Sequence, residues 1–102
     1  MANESIKTKI LAEYKILLGL KFDSPLVIHD KLKLLHEHTQ QLTAATPEEQ
    51  EKLTQAAALL QSAMGAEYIA LSEAETNEDK EEALAALKHK AAEACQLIGL
   101  HG

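Results

Sequence analysis

Apolar side chains recur every three or four residues along four stretches of the chain, and that period is helical. In the first stretch Ile6, Ile10, Tyr14 and Leu17 share a face, which Leu11 and Leu18 widen. The spacing predicts a helix over about 4–18, with Asn3 as its cap and Gly19 as its stop. In the second, Ile28, Leu32, Leu35, Thr39 and Leu42 line up, flanked by Val27 and Leu34. Ser24-Pro25 ahead of them pairs a capping residue with proline at the first helical position. That start signal assigns about 25–43 to a helix and decides the strand-like run Leu26-Val27-Ile28 in its favour.

The third stretch opens on Thr46-Pro47-Glu48-Glu49, which reads as a capping box with proline in the first turn. A helix over about 47–74 then carries two apolar stripes. Leu53, Ala57, Leu60, Met64 and Leu71 form one; Ala56, Leu59, Ala63, Ala66 and Ala70 form the other. Gly65 lies inside the pattern, where glycine costs about 1 kcal/mol against alanine, and marks a kink or a close contact. Thr76 or Asn77 caps the fourth stretch, about 78–98, with Glu78 and Asp79 at the positive end of its dipole. Leu84, Leu87, Ala91, Cys95 and Ile98 make its stripe, and Gly99 stops it ahead of the tail Leu100-His101-Gly102. Four helices joined by short loops predict one all-α domain, an antiparallel up-down-up-down four-helix bundle.

Composition supports that architecture and narrows what it does. The 102 residues suit a single domain. Aromatics are limited to Tyr14, Phe22 and Tyr68, so the core is built of Leu, Ile and Ala. All ten basic residues are lysine, and the formal net charge is −6. Such a chain repels a phosphate backbone and lacks the arginine fork that recognises phosphate, so neither nucleic acid nor an anionic membrane is an expected partner. The longest apolar run, Ala56 to Leu60, is far short of the roughly twenty residues that cross a bilayer. The polar opening MANESIKTK lacks a signal-peptide core, and one cysteine permits no internal disulfide, so the expected residence is cytoplasmic.

The ingredients of catalysis and cofactor binding were sought in turn. Di-metal bundles of the ferritin type use Glu-x-x-His pairs, but the residues three before the histidines are Leu26, Lys33, Leu35, Ala86 and Ile98. Histidine phosphotransfer bundles place a basic residue and a glycine three and four positions after the histidine, a pattern none of the five shows. His36 and His38, two apart on a helix, point about 200° from each other. His29 and His36 do share a face and are the candidate metal ligands, but they stand roughly 10 Å apart with Lys33 between them. Cys95 falls on an apolar stripe, with His89 projecting about 120° away, and so reads as a small hydrophobe. The run Glu73, Glu75, Glu78, Asp79, Glu81, Glu82 has neither the alternation nor the glycine of a calcium loop. No glycine-rich phosphate loop or nucleophile elbow is present.

The reading that remains is surface recognition, non-catalytic and without a cofactor. The apolar arc of the third helix is wider than a bundle buries, so Leu59, Ala63, Ala66, Ile69 and Ala70 are the candidate partner-binding patch, with Ile16 as an outlier on the first helix. The expected partner is a protein, basic by charge complementarity, or a second copy of the chain. Adaptors, secretion-type chaperones and inhibitor or immunity-type proteins come in this size and class, an analogy of fold alone. The alternatives are a bundle that binds a metal or small ligand through His29 and His36, and a phosphotransfer-like protein.

Overall fold

The structure, a computed structural model, describes residues 2–99. Its helices follow the four predicted stretches: α1 (Ala2–Gly19), α2 (Pro25–Gln41), then α3 (Pro47–Ser62), a π-helical turn (Ala63–Glu67) and α4 (Tyr68–Glu73) in one rod, and finally α5 (Asn77–Ile98). No strand occurs among the described residues. Consecutive rods lie side by side, and α5 closes the ring against α1. The result is an all-α, antiparallel four-helix bundle of 45 × 21 × 19 Å. No helix of the described residues is long and apolar enough to cross a membrane. His101 and the rest of the predicted tail lie outside the described residues.

The predicted stripes of α2 and α5 are buried in full: Ile28, Leu32, Leu35, Thr39 and Leu42 on one, and Leu84, Leu87, Ala91, Cys95 and Ile98 on the other. Ile10 and Leu17 of α1 meet them. The single buried polar residue of this core, Thr39, is satisfied locally: its hydroxyl donates to the Leu35 carbonyl at 2.8 Å. That removes most of the cost of taking a hydroxyl out of water.

The third rod departs from its predicted stripes. Its buried line runs Ala56, Leu60, Ala63, Leu71, taking members from both. The π turn is the cause. The Tyr68 N–H reaches back five residues to the Ala63 carbonyl, so this turn holds one residue more than an α turn. In an unbroken helix Ala70, seven residues after Ala63, would share its buried face. The extra residue moves that face on to Leu71 and leaves Ala70 exposed. Gly65 sits in this turn, and a Cβ built on it meets nothing within 4 Å, so it marks the irregularity and not a close helix contact.

The helix ends show which local signals were used. Thr46 accepts from the Glu49 N–H at 3.1 Å, and the Glu49 carboxylate reaches back to the Ala45 N–H at 2.9 Å, one residue beyond the reciprocal box. Thr76 accepts from the Asp79 N–H at 3.1 Å, and Gly99 closes α5 at φ 92, a left-handed conformation suited to glycine. Asn3, expected as a cap, lies inside the first turn of α1. Its amide instead donates to the Thr43 carbonyl at 2.7 Å and its oxygen accepts from the Thr43 N–H, which ties the start of α1 to the end of α2. α2 accordingly stops at Gln41, with Leu42 extended. α1 has no basic residue in its last turn. Lys88 of α5 fills that place, donating to the carbonyls of Leu18 at 2.9 Å and Leu20 at 2.7 Å.

Candidate partner-binding surface

The six residues read as a partner patch are not brought together. Ala63 is fully buried in the core, because the π turn keeps the face of Ala56 and Leu60 inward at that point. Leu59 is half-buried and faces α5. Ala66 and Ala70 are exposed, and Ala70 borders a shallow cleft with Ala74, Ala83 and Ala86 rimmed by Glu73, Asp79 and Glu82. Ile69 and Ile16 stand clear in solvent at 54% and 48% exposure.

Three further large apolar side chains join these two outside the core: Leu26 at 81%, Leu18 and Val27. None of the three entered the sequence-derived patch. Leu26 was legible as an outsider, since it precedes Ile28 by two residues, and two helical steps from a buried position point outward. What hid it was the strand-like run in which it sits. All five exposed residues fall near the α1–α2 turn or on α4, at the same end of the bundle.

The largest concavity is a groove of about 760 Å³ between α3 and α5. Ala58, Leu59 and Leu97 make its floor, and Lys52, Gln55, Lys90 and Glu93 its rim. Glu67 closes one end: Ser62 Oγ donates to its carboxylate at 3.0 Å, and Lys90 Nζ lies 3.7 Å from its other oxygen.

The histidine pair is separated by its surroundings as well as by its spacing. The His29 ring lies against Tyr68, centroids 4.8 Å apart, whereas His36 borders a cleft toward Thr54, Ala57 and Gln61 of α3. No group of three or more metal-ligating side chains forms among the described residues. His89 Nε2 lies 2.7 Å from Glu93 Oε1 on the exposed side of α5. Cys95 is 4% exposed, and burial pushes its thiol up to about 11. A thiol so poor in thiolate is unreactive at neutral pH.

Comparison with known proteins finds no matching family model, no similar curated protein and no similar solved structure.

Proposed function

We propose that the chain is a non-catalytic protein-interaction module, of the adaptor, chaperone or inhibitor kind. One observation carries this reading: five large apolar side chains stay in water at one end of a bundle whose core is otherwise closely filled, Leu26 being 81% exposed. Burying such a side chain is worth roughly 1.5–3 kcal/mol, and single exposed cases are ordinary, but a concentration at one end marks a contact surface. Cytoplasmic residence and a basic protein partner belong to the same proposal. The lone buried thiol is compatible with a reducing compartment, and a chain of formal charge −6 attracts cations and repels nucleic acid.

The test is photo-crosslinking in the source cells from single positions: Leu26, Ala58 in the α3–α5 groove, and Gln41 at the other end as control. The expected result is one recurrent protein adduct from Leu26 or Ala58 and none from Gln41. No adduct from either surface, or the same adducts from all three, would sink the proposal.

A further inference from the structure

Four of the five exposed apolar side chains stand at one height of the bundle, and two cross-helix contacts fix this. Lys31 Nζ meets Glu13 Oε2 at 2.8 Å and sets the register of α2 against antiparallel α1. One turn from that pair toward the α1–α2 turn come Ile16 on α1 and Val27 on α2, which are therefore level. The His29–Tyr68 contact sets the register of α2 against α4, and Ile69, next to Tyr68, is level with the turn holding Leu26 and His29. Leu26 lies three residues before His29 and shares the side of α2 that faces α4. Val27 lies four before Lys31 and shares the side that faces α1. Ile16, Val27, Leu26 and Ile69 thus form a belt across three helices. At 8–10 Å between neighbouring axes, the belt is about 20 Å long.

The charge at one end of the belt selects its occupant. Glu73 lies one turn beyond Ile69 on α4, followed over the hairpin tip by Glu75, Glu78, Asp79, Glu81 and Glu82, all exposed. Lys80 is the one cation between residues 73 and 82, and its ammonium sits 5.9 Å from the centre of the Phe22 ring. A second copy of this acidic chain is repelled from such a surface. We infer that the belt Ile16–Val27–Leu26–Ile69 receives a basic amphipathic helix of a partner protein, its apolar side chains on the belt and its cations over the acidic α4–α5 tip. A helix of about 14 residues spans that length, and apolar anchors at helical spacing are what this mode of recognition reads. The inference rests on the reading of the chain as a protein-binding module.

The probe is a 16-residue synthetic amphipathic peptide with leucines on one face and lysines on the other, and a counterpart with glutamates for the lysines. Each is titrated into the full isotope-labelled chain and followed by amide NMR shifts. The expected outcome is saturable binding of the lysine peptide, with shifts confined to the belt and residues 73–82. Binding should weaken at least tenfold in Leu26→Ser/Ile69→Ser and severalfold between low and physiological salt. The glutamate peptide should not bind. Both substituted positions are exposed, so the double variant should keep its circular dichroism and melting temperature. Four results would overturn the inference: no saturation by the lysine peptide, shifts mapping to the α3–α5 groove, equal affinity of the double variant, or a concentration-dependent dimer that buries the belt. Crosslinking in cells from Ala58 but not Leu26 would likewise remove the belt and leave the module reading standing.

Discussion

Ser62 and Glu67 are joined by a 3.0 Å hydrogen bond across five residues, a pairing that a regular α-helix does not offer. It exists because the π turn brings positions five apart onto one side. The same turn moves the buried face from Ala70 to Leu71. An inserted residue of this kind can be taken out. Deleting Gly65 should convert Ala63–Glu67 to α-helix, place Ala63 and Leu71 seven apart, and leave both buried. The deletion variant should melt at or above the parent temperature. Deleting Ala85, exposed on α5 where no extra residue exists, should instead swing Leu84 out of phase with Leu87 and cost several kcal/mol. A Gly65 deletion as damaging as the Ala85 deletion would refute this account. The milder Gly65→Ala should stabilise by roughly 0.5–1 kcal/mol, since its Cβ enters open space.

Three residues carry the sequence signature of a helix cap, and the structure separates them. Thr46 and Thr76 each accept a hydrogen bond from the third residue of their helix, at 3.1 Å in both cases. Ser24 occupies its cap position without such a bond, its hydroxyl lying 3.5 Å from the Asp23 carboxylate. Thr46→Ala and Thr76→Ala should therefore each cost about 1 kcal/mol, and Ser24→Ala close to nothing. Urea midpoints at constant slope measure all three.

That contrast shows how far the sequence could be read. Periodicity located all four rods, since a stripe such as Ile28-Leu32-Leu35-Thr39-Leu42 is a local consequence of 3.6 residues per turn. It failed where the backbone left that period. No composition rule places one extra residue at Ala63–Glu67, so the stripes of the third rod were drawn straight through, and Ala63 was assigned to the surface. The partner patch failed for the same reason, with Ile69 and Ile16 surviving because each lies well off its core face. Asn3 shows a second limit. Its partner, Thr43, is 40 residues away, and nothing local distinguishes a cap from a cross-helix tie.

Lys88 is a second long-range tie. It bonds carbonyls at the end of α1, and desolvation by burial lowers its pKa. Lys88→Met keeps the stem and removes the donors. It should destabilise by about 1–2 kcal/mol, the range for bonds from a charged group discounted for partial exposure. Amide exchange at Leu20 and Lys21 should rise in the same variant. Unchanged exchange there would mean that α1 does not depend on this contact.

The alkaline limit of stability should belong in large part to Cys95. Burial raises its thiol from 9.0 to about 11, and the Tyr14 hydroxyl is raised too, by burial first and by the nearby Cys95 second. The fold therefore holds these protons more tightly than the unfolded chain does. The resulting stability is complete below pH 9 and is lost as the pH climbs toward 11. For the thiol alone it is worth about 2–3 kcal/mol. Lys88 acts in the opposite sense. Its lowered pKa means that the unfolded chain binds that proton better, so its contribution improves as the pH rises toward 10.5 and offsets part of the loss. Cys95→Ala separates the two. It should start somewhat less stable at pH 7, for want of a buried sulfur, and then lose much less than the parent between pH 9 and 11. Parallel stability curves for parent and variant over that window would show that the thiol keeps its proton in both states and that the loss arises elsewhere.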